Sequence, residues 1–522
     1  MSKFTDLLAD PYALKYYLVE ASPYDPTISA PAVVNLYYSS QGYVTGPSDT
    51  PANTYYEPRI TDALNVSVSL VDQDRVRGRV SVDFGEIRLL AGDISRNSST
   101  LDDLATYNWD GRAVTVKLGG EGFTLAEYGT IGVFVAEGVE LTDDELIIRV
   151  RNGIAEIDVP IQENRFAGTG GVEGSTAVQN KLKPLCYGSV RNITPIYVGN
   201  HDLGDGSLPT FVVHDGSIID VTDVYSNGNA LTDSGGSAPT SGQYRVYASS
   251  GAFQLGGSTL DTIITCDVDG ADDGASTPAL LSSVADIVQE IVGNVSSLSF
   301  ASGTVSALNT KNSATVGMWV PEGGNALSII SDLLNSIGAY IYVNRSGEVV
   351  LGRVEAPAAS AVETFDESQI LSIERRSVQT PSKAIRLKYQ RNWTPVAFDQ
   401  VAGAVTEAYR TFLVNQWREV IDVDATVATA HPLAVEEEYI SYIDGSSDAS
   451  TEAGRLQTLY GEDREVFVVE VKTQPFNLSL GDTVEIQTDV TSRFNLSAGG
   501  KYVIIGLEEV AAQDRVTMTL WG

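Results

Sequence analysis

The sequence predicts a mainly β, multidomain protein: two similar tube-like β-barrel domains near the two ends of the chain, and a β-rich segment and a small α/β module between them. Three observations carry this prediction. Apolar and polar residues alternate over long stretches, turn glycines separate the alternating runs, and a segment beginning at Gly111 repeats at Gly481. The 522 residues allow about three or four domains with ample buried core.

In chain order, the opening from Pro23 to Pro58 is rich in Pro and reads as an extended arm or long loops. From Asn65 to Gln162 the period is two: Val66, Val68 and Leu70, then Val80, Val82 and Phe84, then Val114, Val116 and Leu118 would each put an apolar face inward. Asp110-Gly111 and Gly119-Gly120 read as turns between strands. Gly168 to Gly174 reads as a linker. A second β segment follows, with strands at Phe211 to Val213, Tyr244 to Tyr247 and Ile263 to Val268. Helical spacing then appears at Leu280, Leu281, Val284, Ile287, Val288 and Ile291, with Gly293 as terminator, and again at Leu327, Ile330, Leu334 and Ile337 before Gly338. Tyr340 to Val343 and Val349 to Gly352 read as a hairpin. Beyond Arg375 strands return around one helix, Glu452 to Tyr460, ended by Gly461. The expected domains are 1–164 (arm and first tube-like β-domain), 165–275 (β-rich middle), 276–375 (α/β module) and 376–522 (second tube-like β-domain with one helix).

Laid without gaps, Gly111 to Asn152 matches Gly481 to Gly522. Val114 and Val116 fall on Val484 and Ile486, Gly129 on Gly499, Val133 on Val503, Asp144 on Asp514, and Leu146, Ile148 and Val150 on Val516, Met518 and Leu520. Alternating positions keep one phase throughout, so no register slip is needed. A three-fold assembly of such a chain would present six similar domains in a ring, and these twelve strand residues are the ones expected to build it.

Composition narrows the function. Sixty-eight Asp and Glu against 34 Lys and Arg give a net charge of −34, which excludes nucleic-acid binding through a general basic surface. No stretch of about 18 apolar residues marks a membrane span, and Asp6, Asp10 and Glu20 stand where a signal peptide would be basic or apolar, so a soluble protein made in the cytoplasm is expected. Cys186 and Cys266 are too far apart in sequence for a CxxC site and read as buried small residues.

Catalytic patterns are absent from the sequence. His201, His214 and His431 lack metal-ligand spacing, and Gly168-Thr169-Gly170-Gly171 lacks the third glycine of a dinucleotide loop. Asp267 to Gly274 resembles a calcium loop, but Ala271 occupies the third ligand position, so a hairpin turn is expected. Glu436-Glu437-Glu438 and Asp143-Asp144-Glu145 read as solvated faces or turns. Trp109, Trp319, Trp393, Trp417 and Trp521 are scattered singly in sequence, without an obvious sugar platform. The expectation is a structural protein, not an enzyme, with no catalytic, cofactor or metal site.

The segment Lys183-Pro184-Leu185-Cys186-Tyr187-Gly188-Ser189-Val190-Arg191-Asn192-Ile193-Thr194-Pro195 resembles the KPL-x-x-G-x-x-RN-x-x-P segment of tail proteins from long, non-contractile-tailed bacteriophages. The His214-Asp215-Gly216 turn, the strand Thr265 to Gly270 and the closing run from Leu480-Gly481-Asp482 to Leu520-Trp521-Gly522 follow in the same order. The resemblance implies a baseplate or tail-tip hub of the virion: a homotrimer whose two tube-like domains per subunit form a pseudo-six-fold ring. Such a ring adapts a hexameric tube and distal tail protein to a three-fold tip with its fibre or spike proteins. It encloses the channel for tape measure protein and then DNA, which is cargo only. Two thiols are too few for an iron-sulfur cluster, so no cofactor is carried over. Another tail component (a fibre or distal tail protein) and a carbohydrate-binding or carbohydrate-cleaving β-protein stay open as alternatives.

Overall fold

A computed structural model describes residues 3–10, 12–63, 65–72, 75–82, 85–92, 100–257, 263–401, 403, 405–472, 478–489, 493–494, 496, 499–510 and 515–522. The expected Phe84 and Asp514, and the side chains of Val66, Val80 and Val82, lie outside the described residues. The protein is mainly β and multidomain, with sheets curled into half-barrels.

A nine-stranded sheet holds the N-terminal part. Its central run is Lys15–Ala21, Arg112–Gly120, Gly129–Leu141, Glu145–Asn152, Gly85–Leu90 and Ile60–Asp62. The segment expected as an arm is instead drawn into this sheet: Leu36–Ser39 pairs antiparallel with Lys15–Ala21, and Tyr55–Pro58 continues the sheet beyond it. The reason is aromatic burial. Tyr56 is fully buried, with the rings of Tyr37 and Tyr43 at 5.0 and 5.8 Å, and its hydroxyl donates to Glu20 at 2.7 Å. Gly119 and Gly120 end a strand, and the turn follows at 120–123, where the Phe123 N–H donates to the Gly120 carbonyl at 3.2 Å. The Tyr128 ring lies so close over Gly119 that a Cβ there would meet it at 2.5 Å.

The middle of the chain forms two five-stranded sheets. One contains Leu185–Ile193 between Ile264–Ala271 and Gly317–Val320; the other contains Ser207–Val212, Ala252–Leu255 and Gln243–Tyr247. The acidic run at Asp267 is strand as far as Ala271, and the turn comes later, where the Asp273 carboxylate accepts from the N–H groups of Ala275 and Ala279. The α/β module has the two expected helices. Val284–Val295 starts at the Ser283 N-cap, whose hydroxyl accepts from the Asp286 N–H at 3.1 Å. It runs through Gly293 and stops at Ser296, so that glycine is not the terminator. Ala326–Asn335 is capped by Asn325, and a third helix, Thr304–Lys311, escaped the periodicity because few of its residues are apolar. The hairpin Ala339–Val343 with Val349–Arg353 forms as expected.

The C-terminal sheet runs Glu363–Phe365, Thr483–Ile486, Gly500–Val510, Arg515–Trp521, Arg464–Lys472 and Ile370–Gln379. Between its last two strands the chain makes a separate three-stranded sheet, Arg418–Val423, Ala384–Tyr389 and Glu436–Ile440, packed against the helix Ser446–Tyr460. That helix begins six residues before the expected Glu452 because its first turns are Ser, Asp, Ala and Thr, with little apolar signal. Its buried face carries Glu452, which receives a hydrogen bond from Arg353 Nη2 at 2.5 Å and another from Arg455 Nη2 at 2.6 Å.

Candidate assembly site

The two end sheets share a plan deeper than the sequence repeat. Read across the sheet, the N-terminal order 112–120, 129–141, 145–152, 85–90, 60–62 matches the C-terminal order 483–486, 500–510, 515–521, 464–472, 370–379. The five strands also follow one another identically along the chain, and every pairing among them is antiparallel in both copies. Ile87 opposes Ile148 as Val469 opposes Met518, and Leu89 opposes Leu146 as Val471 opposes Val516.

The gapless match needs one correction, in the middle strand. Val114 pairs with Phe134 and Val116 with Gly132, whereas Val484 pairs with Tyr502 and Ile486 with Gly500. Gly132, Phe134 and Val135 are therefore the counterparts of Gly500, Tyr502 and Val503, and Val133 corresponds to Lys501. The connection before this strand is two residues longer in the first copy and the connection after it is two shorter, so the ends still align without a gap. A shift of two leaves each side chain on its original face. Both copies then carry a bulge at one place: Glu137 is extra between Ala136 and Gly138, as Ile505 is between Ile504 and Gly506.

Val114, Val116, Leu146, Ile148, Val150, Val484, Ile486, Val516, Met518 and Leu520 are fully buried, Val503 is 5% exposed, and Val133 is half-buried. The first eleven belong to one continuous core, so they shape the two sheets from within and cannot themselves meet a neighbouring molecule. Val133 lies against Gly347, where a Cβ would stand 3.1 Å from it.

Two devices fix the copies to each other. The hairpin Asn65–Asp72 with Arg75–Val82 leaves the first copy and adds its first strand to Gly500–Val510 of the second, pairing Ser69 with Gly506 and Asn65 with Val510. The hairpin 339–353 wedges between the sheets: Asn152 Nδ2 donates to the Val343 carbonyl at 3.2 Å, the Tyr340 hydroxyl donates to the Leu480 carbonyl at 3.1 Å, and Arg345 bonds the Leu478 carbonyl and the Glu509 carboxylate. In the first copy, the stretch equivalent to the hairpin-bearing edge is Gly138–Leu141. It pairs with 146–149 on one side, and no strand of the described residues covers its other side.

The residues screened for chemistry have structural surroundings. His214 is buried, its Nδ1 accepts from the Cys186 N–H at 3.0 Å, and burial pushes its pKa down to about 4, so the ring is neutral. His201 Nε2 lies 3.0 Å from the Val198 carbonyl, and His431 faces Asp463 at 3.4 Å. Cys186 and Cys266 are free and buried. Among the described residues no group of three His, Cys, Asp or Glu could hold a metal, and no helix is long and apolar enough to cross a membrane. Burial pushes the Asp267 carboxyl up to about 6, although it accepts from the Asn192 N–H at 2.7 Å and faces Arg191 at 3.8 Å. The tryptophans are less scattered than their sequence positions imply. Trp393 and Trp417 both pack on Tyr442, and the Arg391 guanidinium lies 3.9 Å from the Trp393 ring centroid.

No protein-family model and no curated protein matches the chain. Among solved structures, it is similar to a component of the virion of a native gene transfer agent particle, at 13% identity over 66% of this chain and 84% of that one, with a TM-score of 0.43. It is also similar to the tail protein from Neisseria meningitidis MC58 (7% identity, 90% and 93% coverage, TM-score 0.39). A third likeness is to the prophage MuSo2 tail protein from Shewanella oneidensis (8% identity, 97% and 98% coverage, TM-score 0.38). What the chain resembles in these comparisons are tail and virion proteins.

Proposed function

We propose that the protein is a structural virion component, the trimeric hub of a phage tail tip or baseplate. In this reading it adapts the six-fold tail tube to a three-fold tip and encloses the channel for tape measure protein and DNA during genome delivery. The observation that carries the reading is the five-strand duplication. One chain holds two copies of one sheet, tied together by the 65–82 and 339–353 hairpins, so three chains supply six equivalent sheets. The Lys183 to Pro195 segment and the closing run add the resemblance to tail proteins. The net charge of −34 suits a channel wall that does not retain passing DNA. The partners are then two further copies of the chain, the distal tail protein, the tape measure protein and the fibre or spike proteins of the tip. The open edge Gly138–Leu141 is where a neighbouring copy adds a strand, as the 65–72 strand does within the chain.

The test is native mass together with electron microscopy of the purified protein and of purified tails. Three copies of the 55.8 kDa chain, roughly 167 kDa, arranged with three-fold symmetry and six similar lobes, support the proposal. A fibre, a two-fold dimer, or tails that contain the chain without such a ring would overturn it.

A further inference from the structure

A polar cavity of about 310 Å³ lies where three parts of the chain meet: the stretch 161–164, the strand Leu185–Ile193 and the end of the helix Val284–Val295. Its wall includes Lys183, Leu185 and Tyr187 of the segment singled out in the sequence, and Asp215 of the His214-Asp215-Gly216 turn. The duplicated sheets make no use of it, and it lies on different elements from the 65–82 and 339–353 hairpins.

Its polar groups are held in place but not used up. Lys183 Nζ is fixed between Glu173 Oε1 at 2.7 Å and Asp215 Oδ1 at 3.2 Å, leaving one of its three protons unspent. Asp215 Oδ2 accepts from Asn164 Nδ2 at 2.8 Å and keeps further lone pairs. Gln162 is 6% exposed; its Nε2 donates to the Lys183 and Val320 carbonyls, while its Oε1 has no partner. Tyr187 is 4% exposed, and among the described residues its hydroxyl has no hydrogen-bond partner. An unsatisfied polar atom this deeply buried, Gln162 Oε1, needs an explanation, and a ligand that brings a donor to it and an acceptor to Tyr187 and Lys183 supplies one.

We propose that this cavity is a binding site for one neutral, hydroxyl-rich ring, a monosaccharide unit. The volume is at the small end for ligand sites, enough for a single sugar. Each sugar hydroxyl both gives and takes a proton, which matches the mixture of Tyr187 and Lys183 donors with Gln162, Glu163 and Asp215 acceptors. Two carboxylates against one ammonium disfavour phosphate or sulfate, and the polar wall disfavours an apolar guest. This inference is independent of the hub reading.

The experiment is saturation-transfer NMR on the full chain with glucose, galactose, mannose and N-acetylglucosamine at millimolar concentration, with methyl phosphate and lysine as charged controls. At least one neutral sugar is expected to bind, and Tyr187→Phe, which removes only the hydroxyl, should weaken it about five- to tenfold. Asn164→Ala, at the exposed rim, should weaken it similarly and serves if Tyr187→Phe does not fold. Saturation transfer to none of the sugars means the cavity holds water only and overturns the proposal. Binding that both variants leave unchanged, or binding of methyl phosphate or lysine alone, overturns it as well.

Discussion

Phe134 lies over Gly132 on one face of a single strand, so close that a Cβ on the glycine would stand 2.1 Å from the ring. The second copy repeats this with Tyr502 over Gly500, at 2.7 Å. Gly132→Ala should therefore force the ring out of place and cost about 1–3 kcal/mol. Phe134→Leu in the same chain should recover part of that cost. A double-mutant cycle in urea is expected to show coupling between the two sites, and additive effects would contradict the contact.

Glu452 balances two arginines, the buried Arg353 and the half-buried Arg455. Glu452→Ala leaves both guanidinium groups without it in a buried setting, and the expected loss is about 3–5 kcal/mol. Chemical denaturation of the variant checks this. Because the helix Ser446–Tyr460 carries Glu452 while Arg353 belongs to the 339–353 hairpin, the loss should extend to the α/β module.

Two buried groups give opposing pH dependence. The Asp267 carboxyl is raised to about 6 from its ordinary value of 3.8, so its contribution to stability is complete below about pH 4 and is lost as pH rises through 6. The His214 pKa is lowered to about 4 from 6.5, so its contribution is complete above about pH 6.5 and is lost as pH falls through 4. Each shift corresponds to about 3 kcal/mol. Between about pH 7 and pH 4, the stability of Asp267→Asn relative to wild type should move by that order in the wild type's favour, and that of His214→Gln in the variant's favour. Denaturation midpoints at the two pH values measure both signs.

Deleting Val516 to Gly522 removes most of Arg515–Trp521, the strand between Gly500–Val510 and Arg464–Lys472. The C-terminal sheet should then fail to fold, and the milder Leu520→Ala should cost about 2–5 kcal/mol. A deletion variant with wild-type melting and assembly would show that the strand is dispensable.

Leu141, at the open edge of the first copy, is 37% exposed, and both native thiols are buried. Leu141→Cys should react with a maleimide in the free chain and become protected at least about tenfold in the assembled ring if a strand adds there. Equal labelling in both states would place the subunit contact elsewhere.

Much of the fold was legible because alternation survives burial of one face. Val114, Val116, Val484 and Ile486 announced their strands, and the repeat located three of the five duplicated strands. The other two, 60–62 with 85–90 and 370–379 with 464–472, were hidden because insertions of unequal length separate them in the two copies. The two-residue offset was invisible because the connection after the middle strand undoes what the connection before it introduces. The cavity at Tyr187 could not be read either: its wall comes from 161–164, 183–187, Asp215 and the Val284–Val295 helix, and sequence spacing holds no record of such convergence. The same blindness split Trp393 from Trp417, which meet on Tyr442.

The 65–82 hairpin gives the chain a distinctive biography. Its partner strand, Gly500–Val510, leaves the ribosome roughly four hundred residues later, which at about 5–20 residues per second is tens of seconds. Throughout that interval the ribbon waits with a bare edge, and the sheet it completes does not yet exist. Residues translated late, 500–510, thus shelter residues translated early, 65–69. A nascent chain cut short before Gly500 leaves that early ribbon unmatched, and only a polypeptide that extends through Val510 can close the circuit.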